Sequence, residues 1–194
     1  MSIPIRIGTG DQTVGRFGGG APVGICPPDP SDFTRHFVTI PLVIEPPLHA
    51  SVFLSFDFEQ MLDTMGQLGK GQGLIQVVAH PPVSAMSDDF PSEFPPYALI
   101  LAEPTDDIET DSGNEVIVSS HKLGGRPYFM HHEPSLVQAV EQLWPMGFVH
   151  VLQMDFPGIQ DPPFEEDWPF ADGVFHLLGK APFLADDWCW FWEC

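Results

Sequence analysis

HFVTIPLVIE, residues 36–45, is followed a few positions later by SVFLSFDFE, residues 51–59. Both stretches are rich in β-branched and aromatic residues, which favour β-strands, and they are joined through Pro46 and Pro47. Side chains alternate between the two faces of a strand, so one face of the second stretch is wholly apolar and is expected to face a core. That face carries Val52, Leu54, Phe56 and Phe58.

Similar patterns recur along the chain and predict roughly eight strands in all. The further strands are predicted over residues 74–80, 97–103, 114–120, 148–156, 173–179 and 188–194. In the last of them Trp188, Trp190 and Trp192 would line one face. A strand so apolar is expected to lie inside a sheet, because an exposed edge of this kind promotes aggregation.

The clearest helix is predicted over EPSLVQAVEQLW, residues 133–144, where Pro134 suits the first turn. Its apolar residues repeat at helical spacing and form one stripe: Leu136, Val137, Val140, Leu143 and Trp144. A second, short helix is predicted within residues 58–71, ending at Gly69 or Gly71. These elements predict an α+β fold, a strand-rich single domain with one or two helices.

The N-terminal 35 residues are rich in glycine and proline and are predicted to form an extended arm or loops. The domain proper is then expected over residues 36–194. The cluster from Gly15 to Gly20 resembles a phosphate-binding loop only superficially, because it lacks the GK[ST] ending and Pro22 follows where a helix would begin.

The charge of the chain is strongly one-sided, with 27 acidic residues against 7 basic ones and a formal net charge of -20. Such a field disfavours nucleic acid and anionic membrane surfaces as partners and attracts basic proteins. No signal peptide or membrane helix is predicted. The three cysteines, Cys26, Cys189 and Cys194, form no CxxC pair, which favours reduced thiols in a cytoplasm-like compartment. We predict no metal site and no cofactor.

HKLGGRPYF, residues 121–129, concentrates two of the seven basic residues around a Gly-Gly pair. We interpret it as a structural corner in which Gly124 and Gly125 turn the chain with positive φ and Pro127 stiffens the exit. A phosphate cradle would need the glycines directly before a helix, and the predicted helix begins only near Pro134. Lys122 and Arg126 are expected to pair with carboxylates of the same chain.

This corner also resembles the K-x-G-G-x-P segment of the YwqG-like domain family. Three later segments strengthen the resemblance: LQMD (152–155), DWPFADGVFHLL (167–178) and WFWEC (190–194). Together they cover residues 121–194. The resemblance implies an α+β domain with a curved mixed or antiparallel sheet, in which Lys122, Gly124, Gly125 and Pro127 form a structural motif. It implies no catalytic activity, and it suggests a small cytoplasmic bacterial protein that serves as an immunity protein encoded in a toxin locus.

Charge and resemblance together predict a protein that binds and neutralises a cognate antibacterial toxin, expected to be a basic nuclease-type effector such as a DNase. An acidic and aromatic surface would occlude the active-site cleft of the toxin. The predicted interface consists of Asp161, Phe164, Glu165, Glu166, Asp167, Trp168, Asp172, Asp186 and Asp187, with Phe170 as a further aromatic anchor among the acids.

Two other functions are compatible with the same sequence. An enzyme of unknown type could use His131, His132 and the neighbouring carboxylates, although neither histidine has the spacing of a known metal-binding motif. A general acidic protein-binding module would show the same charge pattern without a toxin. The sequence alone does not separate these hypotheses.

Overall fold

A computed structural model describes residues 2–8, 14–55, 60, 62–70, 73–92, 94–105, 121–131, 133–155, 170 and 173–194. The predicted hairpin is present as two paired strands, Arg35–Leu42 and Leu48–Leu54, while the predicted core residues Phe56 and Phe58 lie outside the described part. The strands are β1 (Ser2–Gly8), β2 (Gly15–Phe17), β3 (Arg35–Leu42), β4 (Leu48–Leu54), β5 (Gly69–Lys70), β6 (Ile75–His80), β7 (Tyr97–Leu101), β8 (Lys122–Gly124), β9 (Val149–Met154), β10 (Val174–Gly179) and β11 (Trp188–Glu193). The strand predicted over 114–120 lies outside the described residues.

The predicted α+β class is wrong, because the described chain is dominated by one antiparallel sheet. Its eleven described strands follow the order β5-β11-β10-β9-β8-β1-β7-β2-β3-β4-β6. The only complete α-helix among the described residues is α1 (Pro134–Glu141), followed by a 3-10 turn over Trp144–Met146. The helix predicted to run to Gly69 or Gly71 does not do so, since the chain turns at residues 63–66 and Gly69 begins β5.

The predicted N-terminal arm is also corrected, since β1 lies in the middle of the sheet between β8 and β7. Its alternating Ile3, Ile5 and Ile7 are the sequence signal of a strand, although Pro4 and the glycines that follow obscure it. β2 pairs with β3 and β7 in the same sheet. Residues of the supposed arm therefore complete the sheet.

The sheet curls so strongly that strands far apart in its order share one core. The ring of Phe37 on β3 lies 5.6 Å from that of Phe170 and 5.9 Å from that of Phe175 on β10. Trp188, Trp190 and Trp192 line one face of β11 and join this core, as predicted. Since β11 pairs with β10 on one side and β5 on the other, it lies inside the sheet, which confirms the prediction.

Different layers cover the outside of the curled sheet. Over β9–β11, helix α1 buries Leu136 and Val140 against Phe191 and its neighbours. Over β3, β4 and β6, the loops of residues 18–34 and 81–96 take that place. The amide side chain of Gln76 on β6 fastens the first loop, accepting from the N–H of Asp29 (2.9 Å) and donating to its carbonyl (2.7 Å).

Candidate functional site

The HKLGGRPYF segment is a tight corner, and its glycines have the predicted backbone. Gly124 and Gly125 both adopt positive φ, 68° and 72°, which glycine tolerates and most residues do not. The Lys122 ammonium donates to the carbonyl of Arg126 at 2.6 Å and closes the corner across the turn. The pairing of these two cations with carboxylates stays a prediction.

Buried polar side chains of the sheet hold the exit of this corner. The carboxylate of Glu193 accepts hydrogen bonds from the N–H groups of Met130 (2.7 Å) and His131 (3.3 Å). The side-chain oxygen of Gln153 accepts from the N–H of Tyr128 at 3.1 Å. Because Glu193 is almost fully buried, removal of either partner would leave a buried polar group unsatisfied and would be costly. The described contacts of the corner are thus structural.

Two buried histidines lie beside the corner on β9 and β10. His150 Nδ1 is 2.9 Å from the carbonyl of Gly124 and must donate to it, while its Nε2 lies 3.4 Å from His176 Nδ1. The ring of His176 stacks on Phe191 with a centroid distance of 4.3 Å. Burial, and then the nearby His150 and Lys122, hold the pKa of His176 well below its usual range. Both rings are packed within the protein, and no solvent reaches His176.

A second buried polar chain crosses β3, β4 and β6. His36 Nε2, Thr39 Oγ1, Ser51 Oγ and His80 Nε2 are linked in that order by contacts of 2.9, 2.7 and 2.9 Å. His80 Nδ1 donates to the carbonyl of Pro81, so His80 Nε2 accepts from the Ser51 hydroxyl. Ser51 Oγ in turn accepts from the Thr39 hydroxyl, and Thr39 Oγ1 accepts from His36 Nε2. Burial lowers the pKa of His36 to about 4. All four residues are buried, so Ser51 cannot meet a substrate in this arrangement.

The predicted acidic interface is only partly within the described residues. Asp161, Phe164, Glu165, Glu166, Asp167, Trp168 and Asp172 lie outside them. Phe170 is fully buried and stacks on Phe175 at 4.7 Å, so it belongs to the core and not to a contact surface. Asp187 is buried in the turn between β10 and β11, where it accepts from the N–H of Leu184 at 2.9 Å. Asp186, in the same turn, is exposed.

Four exposed apolar side chains occur in the turns at one end of β9–β11. Trp144 and Met146 follow helix α1, Val149 begins β9, and Leu184 lies between β10 and β11. Their exposed fractions are 37%, 60%, 53% and 64%. Val149 is paired with Gly179, the last residue of β10, so both turns lie at the same end of the sheet. We refer to Trp144, Met146, Val149 and Leu184 as the turn surface.

The electrostatics of the turn surface are acidic. Glu141 and Asp186 are exposed beside it in the chain. The nearby cation Lys180 is engaged internally, 3.7 Å from the Asp187 carboxylate and 5.1 Å from the centre of the Phe148 ring. The exposed apolar residues of the turn surface thus have exposed acids close to them in sequence, and a protein-binding surface combines apolar and polar groups in this way. The sequence analysis did not predict the turn surface. A signal was present, because Trp144 and Met146 are large apolar residues next to the turn formers Pro145 and Gly147.

The enzyme hypothesis receives no further support from the described residues. His131 is exposed, and its Nε2 contacts the backbone oxygen of Cys194 at 2.5 Å; His132 lies outside the described part. Within that part, no three histidine, cysteine or carboxylate side chains are grouped as metal ligands.

Comparison of the chain with protein-family models, curated proteins and solved structures finds no match. In the part of the chain that the structure describes, no helix has both the length and the apolar character needed to cross a membrane.

Proposed function

We propose that this chain binds a basic protein through the turn surface, and that the partner is a toxin which it neutralises as a cytoplasmic immunity protein. The observation that carries the proposal is the exposed turn surface, with the exposed acids Glu141 and Asp186 close to it in sequence, on a chain of net charge -20. The resemblance to YwqG-like proteins supports the toxin as the kind of partner and remains a prediction.

Apolar and acidic groups would contribute differently to this complex. Exposed side chains that the partner would bury, such as Leu184 and Met146, would supply most of the affinity, because desolvated anchors dominate interface energies. The acids would raise the association rate and select a positively charged partner. The acidic residues Asp161, Glu165, Glu166, Asp167 and Asp172, which lie outside the described residues, are proposed as a second contact.

A nuclease fits these requirements because its cleft is built to bind phosphates with lysine and arginine. An acidic surface would occupy such a cleft and compete with the nucleic acid. Binding is then expected to weaken as salt is raised, while the part due to the apolar anchors persists.

The first experiment is purification of the tagged chain from its native cells, with mass spectrometry of the proteins that accompany it. We expect one stoichiometric basic protein that kills cells when expressed alone and is harmless when co-expressed with this chain. Recovery of the chain alone from cells that make the neighbouring gene products would refute the proposal.

The contact surface is tested by Leu184→Arg, which places a cation in the turn surface. Loss of one anchor and the added repulsion should weaken binding by about tenfold or more. Val43→Arg is the matched control, because Val43 is also exposed (74%) but lies after β3. Equal effects of the two variants would rule out the turn surface as the contact.

A further inference from the structure

A separate cavity of about 480 Å³ lies where the glycine segment after β2 meets the loop of residues 86–96. Its lining combines one cation, Arg16, with two serines, Ser87 and Ser92, and a wall that includes Phe94 and Pro96. A cavity of this size holds a small organic molecule. Neither the corner nor the turn surface contributes to its lining.

Strand pairing directs Arg16 away from the core. Arg16 is paired with Thr39 on β3, whereas the next residue, Phe17, is fully buried in the core. Successive side chains of a strand point to opposite faces, so Arg16 faces the loop layer. Arg16 is only partly exposed, and its side chain makes no hydrogen bond or ion pair to any described residue. A partly desolvated guanidinium of this kind favours an anionic ligand.

Other donors accompany this guanidinium. The N–H of Gly20 has no hydrogen-bond partner among the described residues. Ser92 Oγ accepts from the N–H of Phe94 at 3.2 Å, which leaves its hydroxyl hydrogen available to donate. Gly20 must be glycine, because a Cβ there would collide with the carbonyl oxygen of Ser87. Close approach of the two loops therefore shapes the cavity.

The charge and the wall of the cavity together select the class of anion. One arginine matches one carboxylate, which it can bind through two parallel hydrogen bonds. The net charge of -20, and the exposed Asp88 on the lining, disfavour a doubly charged phosphate. Pro95 and Pro96, which are exposed on the lining, offer an apolar surface for the rest of the ligand. We propose that this cavity binds a small monocarboxylate with an apolar body, held by Arg16.

The buried histidine next to this site provides a spectroscopic reporter. Burial lowers the pKa of His36 to about 4, and the positive charge of Arg16 contributes to the lowering. A carboxylate bound to Arg16 would cancel that contribution, so the pKa of His36 should rise when the site fills.

Benzoate is the test ligand, because it joins one carboxylate to an apolar ring. Titration of the full chain, followed by calorimetry and by NMR of the His36 ring, should show saturable binding and the rise in the His36 pKa. Benzyl alcohol, which lacks the charge, and inorganic phosphate, which lacks the ring, should bind at least about tenfold more weakly.

Variants connect that binding to the cavity. Arg16→Gln should reduce benzoate affinity by about tenfold or more, and Arg16→Lys should recover part of it. Arg6→Gln, which removes an exposed arginine from β1, should leave benzoate affinity unchanged.

Asp88→Asn should tighten benzoate binding, because it removes a negative charge on the lining that repels the carboxylate. Absence of saturable benzoate binding to the folded wild-type chain would overturn the proposal, as would undiminished affinity in Arg16→Gln. Neither result would bear on the toxin partner.

Discussion

The outer face of β9–β11 and the outer face of β3, β4 and β6 are both buried, yet they are built from opposite chemistry. Over β9–β11 the covering layer is helix α1, and the contact is made by Leu136, Val140 and Phe191. Over β3, β4 and β6 the covering layer is loops, and the sheet presents Thr39 and Ser51 in a hydrogen-bonded chain. The inner faces of both regions contribute to one apolar core.

The difference shows how a covering layer selects the residues beneath it. A helix satisfies its own backbone groups and can rest on apolar side chains, so burial there is governed by hydrophobic contact. Loops carry backbone donors and acceptors that need partners, and a polar sheet face can supply them. Gln76, which both accepts from and donates to the backbone of Asp29, is the plainest case.

The largest effect is expected at the helix-covered face. Phe191→Ala should lower the free energy of unfolding by about 3–5 kcal/mol, because it removes a buried ring that stacks on both His176 and Phe129 and leaves a cavity. Urea denaturation measures the change. Phe33→Ala serves as the control, since Phe33 is 66% exposed, and it should change stability by no more than about 0.5 kcal/mol. A similar loss for both variants would contradict the packing described.

Acid should affect the loop-covered face next. His36 has a folded pKa of about 4 against an ordinary value of 6.5, so the unfolded chain binds the proton more readily. Its contribution to stability is complete above about pH 6.5 and is lost as pH falls towards 4. The free energy of unfolding should fall by about 2 kcal/mol between pH 7 and pH 5 from this group. Urea denaturation at several pH values measures the slope. His36→Phe should make the slope shallower, and an unchanged slope would show that His36 titrates normally.

Removal of one hydroxyl tests the polar chain directly. Ser51→Ala should cost about 1–3 kcal/mol of unfolding free energy, because it leaves Thr39 without its acceptor and His80 without its donor. The exposed Ser84→Ala should leave stability unchanged. If the two variants are equally stable, the hydrogen-bonded row of Thr39, Ser51 and His80 contributes nothing to the stability of the fold.

The smallest effect is expected in the turn between β10 and β11, where two neighbouring aspartates differ in role. Asp187→Asn should lower stability by about 1 kcal/mol, because it weakens the bond to the Leu184 N–H and the contact with Lys180. Asp186→Asn should have no measurable effect on thermal unfolding, since Asp186 is exposed. The reverse order of the two effects would contradict the assignment of Asp187 to the turn.

Particular residues show how far sequence patterns reach. Alternation located β3, β4, β6, β7, β9, β10 and β11 to within a few residues, and Pro134 marked the start of α1. Alternation also existed in β1, but Pro4 and the glycines beyond it concealed the strand. Phe170 was misjudged as a surface anchor because acidic neighbours in sequence say nothing about which side chain turns inward.

Local patterns were therefore sufficient for those seven strands, for α1 and for the Gly124-Gly125 corner, because alternation, proline placement and positive φ are properties of neighbouring residues. The curl of the sheet depended on contacts between distant segments, such as Phe37 with Phe175. The same holds for the pairing of Arg16 with Thr39 and for the meeting of two turns at the turn surface. The sequence separation of two residues does not predict such tertiary contacts, because each contact depends on how the whole sheet closes around its core.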